Sequence, residues 1–124
     1  MCSSDLTVRR HPDLPWMKSA ADIVACADGA HELLDAAAGM VADNGVLVFA
    51  VCSLEPEEGV EQVAHFLRRH PEFQREPVAP SDVFGLEELI SVNGDLRTLP
   101  CHLDDPDSRM AGIDGFYAAR LQRM

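Results

Sequence analysis

Cys52 is the residue of this sequence best placed to carry out chemistry. It directly follows the run 46–51, which is short, apolar on both faces and rich in β-branched residues. Such a run is typical of a strand buried on both sides in a parallel sheet. Because ligands of α/β proteins lie at the carboxyl ends of the strands, Cys52 is a candidate nucleophile. The alternative is that Cys52 is a small buried hydrophobe, as most free cysteines are.

Other polar side chains near Cys52 or in loops have weaker claims to a function. Glu57 and Glu58 could orient groups beside Cys52, but both are also explained as favourable charges at the start of a helix. Cys101 and His102 are adjacent and have no partner ligands at metal-binding spacing. We therefore predict a loop at that place and no metal site.

The elements that would position Cys52 follow from hydrophobic period and turn residues. Ser19 can cap a helix over residues 20–42, and Pro56 suits the first turn of a second helix over 56–69. A shorter helix is predicted over 81–90, and residues 7–18, with two prolines, are predicted to form a loop. The predicted strands cover 46–51, 73–78, 95–99 and 115–121. This alternation of helices and strands predicts an α/β fold.

Composition limits the classes of function. The 124 residues are 47% hydrophobic and 25% charged, which indicates one globular domain or a piece of one. The net charge of −11 argues against a protein that binds nucleic acid with its whole surface, although residues 1–18 carry a net +1. The sequence has no apolar run of the roughly 18 residues that a membrane span needs and no export signal, so we predict a cytoplasmic protein without a membrane partner.

Three segments, in order along the chain, carry a resemblance to a known family. Residues 9–16 read Arg-Arg-His-Pro-Asp-Leu-Pro-Trp, residues 51–58 read Val-Cys-Ser-Leu-Glu-Pro-Glu-Glu, and the chain closes with 94–100 and 114–121. The middle segment is similar to the Thr-Cys-Ser-x-x-Pro-Glu-Glu-Asn motif of the RsmB/NSUN family of S-adenosylmethionine-dependent RNA (cytosine-5)-methyltransferases. Val51 replaces the threonine of that motif, and Gly59 replaces its asparagine.

The resemblance implies a fold and a place in a larger enzyme. It implies the C-terminal half of a class I, Rossmann-like methyltransferase domain, with a parallel strand and a closing antiparallel hairpin, over residues 7–124. The Gly-x-Gly turn that would hold S-adenosylmethionine does not occur in this sequence. The cofactor site is therefore expected mostly in an upstream part, and the isolated fragment is expected to be inactive.

The resemblance also implies roles for individual residues. Cys52 corresponds to the cysteine that attacks cytosine, and Cys2 corresponds by register to a second cysteine that assists release. Arg9 and Arg10 would contact phosphates of an RNA substrate, expected to be ribosomal RNA; an ordinary solvated loop is the alternative for both.

Residues 1–6 are expected to be a non-native start. Cys-Ser-Ser-Asp-Leu is what a common sequencing-adapter end encodes, and Asp5-Leu6 stands where the family has Thr-Gly. Two other functions remain open from the residues alone. One is a small non-catalytic acidic α/β domain that binds a protein partner, and the other is a redox protein with Cys52 as a lone sensor thiol.

Overall fold

The computed structural model describes residues 19–124, in which helices and strands alternate. The helices and strands of this range are α1 Ala20–Ala38, β1 Val46–Val51, α2 Val60–Arg69, β2 Phe73–Glu76, β3 Leu96–Thr98 and β4 Phe116–Arg123. Short 3-10 turns lie at Pro56–Glu58, Pro80–Val83 and Glu87–Leu89. The predicted loop 7–18 lies outside the described residues. Among those residues, no helix is both long and apolar enough to cross a lipid bilayer.

Helix α1 begins at the cap that the sequence predicts. The Ser19 hydroxyl accepts a hydrogen bond from the Asp22 backbone N–H at 3.3 Å, and the Asp22 carboxylate accepts one from the Ser19 backbone N–H at 2.8 Å. This reciprocal pair satisfies N–H groups that have no partner inside the helix. The helix ends at Ala38, before the predicted residue 42, because Ala38 is its last buried residue and the chain turns away at Gly39.

Strand β4 is the strand with which every other described strand pairs. It runs antiparallel to β1 along one edge and to β2 and β3 along the other. β1 and β2 therefore run in the same direction on opposite sides of β4. The antiparallel pair of β3 and β4 is the predicted closing hairpin.

The apolar core lies on one face of this sheet, under α1 and α2. Tyr117, Ala119 and Leu121 alternate along β4 and are buried together with Val63 and Phe66 of α2. The strand period of two residues sends these side chains to the same face, where the helices exclude water.

The prediction that β1 is buried on both faces is wrong for the described residues. Leu47, Phe49 and Val51 pack against the core, but Val46 and Val48 remain 48% and 60% exposed. The reason is that the helices cover only one face, and β1 is an edge strand of the described sheet.

Two predicted helices are interrupted. The helix predicted over 56–69 consists of a 3-10 turn followed by α2, and Gly59 lies between them. The helix predicted over 81–90 is two 3-10 turns, because Phe84 and Gly85 adopt positive φ angles of 54° and 79° that no right-handed helix tolerates.

Val48→Lys should raise the fraction of the isolated chain that stays monomeric. An edge strand with an open apolar face can pair with another copy, and a lysine on that face opposes such pairing. Size-exclusion chromatography with light scattering over a range of protein concentrations measures this fraction. Val92→Lys is the matched control, because Val92 is 103% exposed in the turn before β3. A wild-type chain that stays monomeric at every concentration would show that the open face does not drive association.

Candidate active site

Cys52 lies at the carboxyl end of β1, as the sequence predicts. Its thiol is free and its side chain is partly buried. The strand ends at Val51, and the next element is the 3-10 turn that starts at Pro56. The intervening residues 52–55, here called the Cys52 loop, therefore determine where the sulfur atom points.

Ser53 anchors the Cys52 loop from the inside. Its side chain is fully buried, and its hydroxyl donates a hydrogen bond to the carboxylate of Glu58. The Ser53 hydroxyl oxygen also accepts a hydrogen bond from the Glu55 backbone N–H at 3.0 Å. These bonds link the start of the loop to the turn that follows it.

The two glutamates that the sequence analysis grouped together have different environments. Glu57 is exposed, and its backbone carbonyl accepts a hydrogen bond from the Gln62 side-chain amide at 2.9 Å. Glu58 is only 3% exposed and faces Ser53. A favourable charge at a helix start accounts for Glu57, but it does not account for a carboxyl group taken out of water, which needs a specific partner.

Arg97 holds the Cys52 loop from β3. Its Nη1 donates to the Ser53 carbonyl oxygen at 2.7 Å, and its Nη2 donates to the Leu54 carbonyl oxygen at 2.6 Å. Burial lowers the pKa of this guanidinium from its ordinary value, although arginine keeps its charge in proteins. Arg97 lies in the closing segment 94–100, for which no site residue was predicted. The signal in the sequence is an arginine inside the short predicted strand 95–99, flanked by Leu96 and Thr98.

A buried polar network supports Arg97 from below. The guanidinium carbon lies 6.0 Å from the centroid of the Tyr117 ring. The Tyr117 hydroxyl donates to Asp95 Oδ2 at 2.6 Å, and Asp95 Oδ1 lies 2.9 Å from Arg75 Nε. Tyr117 is 2% exposed and Asp95 is fully buried. Burial and the hydrogen bond to Asp95 raise the pKa of Tyr117 well above its ordinary value.

Gly59 lets α2 start directly against the Tyr117 ring. A β-carbon at position 59 would lie 3.2 Å from two ring carbons of Tyr117, which is tighter than ordinary packing. Since the motif that this segment resembles has an asparagine here, the glycine leaves room for the ring where that motif carries a side chain.

The remaining predicted residues lie elsewhere or outside the described range. His102 Nδ1 accepts a hydrogen bond from the Leu99 backbone N–H at 3.1 Å, which stabilises a turn, and Cys101 is exposed. Within residues 19–124, no three side chains of the metal-binding types come together. Cys2, Arg9 and Arg10 belong to the part of the chain that is not described.

Comparison with known proteins gives a family match over nearly the whole chain. The family model described as 16S rRNA methyltransferase RsmB/F matches residues 1–122. Ribosomal RNA small subunit methyltransferase B of Thermus thermophilus is 38% identical over 123 residues, which are 99% of this chain and 27% of that protein. The protein of the same name from Photorhabdus laumondii is 30% identical, over 98% of this chain and 24% of its own length. The chain thus spans about a quarter of the length of these relatives.

Solved structures agree with the predicted fold class. The crystal structure of PH0851 matches with a TM-score of 0.78 and 28% identity, over 99% of this chain and 25% of that one. A methyltransferase homolog protein from Pyrococcus horikoshii matches with a TM-score of 0.65 and 22% identity, over 100% of this chain and 37% of that one. The second likeness concerns the fold alone. The prediction of an α/β, partial Rossmann-like methyltransferase domain is confirmed.

The cavity beside the Cys52 loop does not fit S-adenosylmethionine. A cavity of about 170 Å³ opens beside the Cys52 loop, whereas pockets for ligands of that size usually measure ~300–1,000 Å³. The described residues that line it are Pro56, Val60, Ser91, Asn93, Arg97 and Tyr117. They include no carboxylate that could bind a ribose.

Tyr117→Phe should lower the free energy of unfolding by about 1–3 kcal/mol at neutral pH, because the buried Asp95 loses a hydrogen-bond donor. The pKa of Tyr117 is raised in the folded state above its usual 10.0. The stability that Tyr117 contributes is therefore complete below pH 10 and is lost as the pH rises further. Urea unfolding of the wild type and of Tyr117→Phe, at neutral pH and above pH 10, measures this effect. The difference between their free energies of unfolding should become smaller as the pH rises.

The tyrosine can also be observed directly, because the sequence contains one tyrosine only. The ultraviolet absorbance of tyrosinate should appear only together with unfolding. Ionisation of Tyr117 near its ordinary pKa, in a chain that is still folded, would disprove the buried contact with Asp95.

Proposed function

Because the chain belongs to the 16S rRNA methyltransferase RsmB/F family, we propose that it forms the C-terminal part of a cytosine-5 methyltransferase domain acting on ribosomal RNA. The whole enzyme would transfer the methyl group of S-adenosylmethionine to carbon five of a cytosine in the cytoplasm. The part of the domain outside this chain would bind S-adenosylmethionine.

The chemistry assigned to this chain is covalent catalysis by Cys52. Carbon five of cytosine is a weak nucleophile. When the Cys52 thiolate forms a bond to carbon six, the electron pair of the ring double bond becomes available at carbon five. When bound by the other part of the domain, S-adenosylmethionine would supply the methyl group for that carbon and would leave as S-adenosylhomocysteine. Loss of the proton from carbon five then re-forms the double bond, and the sulfur–carbon bond breaks to release the thiolate.

The observation that supports this assignment is the position of Cys52. The free thiol lies at the carboxyl end of β1, where α/β proteins bind ligands, and its loop is held by Ser53 and Arg97. Cys2 is proposed as the second cysteine, which assists loss of the proton from carbon five. Arg9 and Arg10 are proposed to contact RNA phosphates.

The isolated chain should not bind S-adenosylmethionine tightly and should not methylate RNA, because the Gly-x-Gly turn expected to hold the cofactor does not occur in this sequence. Isothermal titration of the chain with S-adenosylmethionine tests the first part. Micromolar binding would show that this chain carries a cofactor site of its own.

The catalytic role of Cys52 can be tested in a chimera, in which residues 7–124 replace the matching part of the Thermus thermophilus relative. The chimera should methylate 16S ribosomal RNA at carbon five of cytosine. It should also form a stable covalent adduct with RNA that contains 5-azacytidine. Cys52→Ala should abolish both, since removing a covalent nucleophile costs on the order of 10⁴-fold or more in rate.

Cys101→Ala is the matched control, because Cys101 is also a free thiol but lies in an exposed turn. It should leave methylation and adduct formation unchanged. A chimera that folds like the relative but does not methylate would refute the proposal. So would a Cys52→Ala chimera that still forms the adduct.

A further inference from the structure

Arg97 controls the backbone that carries Cys52, although no described contact joins the guanidinium to the sulfur. We propose that Arg97 is a positioning residue for the Cys52 thiol, and that it acts by holding the carbonyl groups of Ser53 and Leu54. This inference rests on the proposed role of Cys52 as a nucleophile.

The contact between Arg97 and the loop is specific in its geometry. The two guanidinium nitrogens donate to two successive carbonyl oxygens, at 2.7 Å and 2.6 Å. Hydrogen bonds from a charged donor are roughly twice as strong as neutral ones. Since peptide groups are planar, fixing these two carbonyls fixes the peptide planes that join residues 53–54 and 54–55, which begin one residue after Cys52. The Ser53 side chain, bonded to Glu58, removes further freedom from the same segment.

The sheet places Arg97 at this loop. In the register of β4, Tyr117 lies opposite Val51 on one edge and opposite Arg97 on the other. Side chains at directly opposite positions of a sheet point to the same face. The Arg97 side chain therefore crosses above the Tyr117 ring and reaches the residues that follow Val51 on the far side of β4.

The support under Arg97 does not come from the loop that it holds. Tyr117 is held by its hydrogen bond to Asp95, and Asp95 Oδ1 lies 2.9 Å from Arg75 Nε of β2, an ion pair without hydrogen-bond geometry. The Arg97 guanidinium is thus supported by groups of β2, β3 and β4. Because these strands are held in one sheet, the guanidinium restricts the motion of the Cys52 loop. Attack on a bound base needs reacting atoms about 3–3.5 Å apart, and a misplacement of about 1 Å can cost ~100-fold in rate.

Amide hydrogen exchange of the 124-residue chain tests whether Arg97 holds the loop. In Arg97→Met, the backbone amides of residues 53–58, apart from Pro56, which has no N–H, should exchange at least about tenfold faster, because two charge-assisted hydrogen bonds are lost. Arg120→Met is the matched control. Arg120 also donates to a backbone carbonyl, that of Pro77 at 2.6 Å, and pairs with Asp82 at 3.1 Å, away from Cys52. It should leave the exchange of residues 53–58 unchanged.

Kinetics of the chimera test whether this hold positions the thiol. Arg97→Met should lower kcat for methylation by roughly 10- to 100-fold and leave KM for RNA unchanged, because the loss concerns alignment and not RNA binding. Arg97→Lys, which can donate to one carbonyl but not as a planar fork, should lie between Arg97→Met and the wild type. A residue that only stabilised the fold would lower the melting temperature without this change in kcat.

The outcomes separate the two proposals. If the wild-type chimera is inactive, the proposed function fails, and the exchange experiment still decides whether Arg97 holds the loop. If Arg97→Met exchanges like the wild type, or if its loop loosens while kcat stays unchanged in an active chimera, the positioning role is refuted. If amide exchange in Arg97→Met becomes faster throughout the sheet, this variant has lost its fold. Arg97→Lys, which keeps an aliphatic stem and a positive charge, then takes the place of Arg97→Met in the exchange and the kinetic measurements.

Discussion

The pairing of β4 with β1, β2 and β3 is the constraint on which the rest of the structure depends. β4 is the last strand in the chain, yet it occupies the middle of the described sheet. β1, which Cys52 follows, and β3, which carries Arg97, are joined in the described sheet through β4. The geometry of the candidate site is therefore set by residues at the end of the chain, because contacts between distant segments form only when β4 is in place.

A line of buried polar groups gives this arrangement its specificity. Asp95 is fully buried, and a buried carboxylate without partners costs several kcal/mol, on the order of the whole stability of a small domain. Tyr117 and Arg75 supply its partners, and the Tyr117 ring in turn faces the Arg97 guanidinium. A shift of β3 along β4 would separate Asp95 from Tyr117, so their hydrogen bond adds to the apolar pattern in favouring the observed register.

Elements with strong local signals could be predicted from the sequence. The bounds of β1 agree with the prediction, since a short run of β-branched residues between turns has few other solutions, and the Ser19 cap marks the start of α1. The helix predicted over 81–90 was wrong, because the positive φ angles at Phe84 and Gly85 are not signalled by an apolar period. The prediction that both faces of β1 are buried was also wrong. An apolar run in the sequence does not show whether other residues of the described chain cover each of its faces.

The sequence by itself determined the candidate nucleophile and the family, because both depend on short, contiguous patterns. Cys52 follows a strand and begins a recognisable motif, whatever the rest of the chain does. Only the tertiary structure decided which groups surround it. Glu58 turns inward while its neighbour Glu57 stays in water, and Arg97 reaches the carbonyls of Ser53 and Leu54 across β4. Arg97 is far in sequence from Ser53 and Leu54, so no local pattern connects them. Glu57 and Glu58 are adjacent and of the same type, so no local pattern shows which of the two side chains is buried.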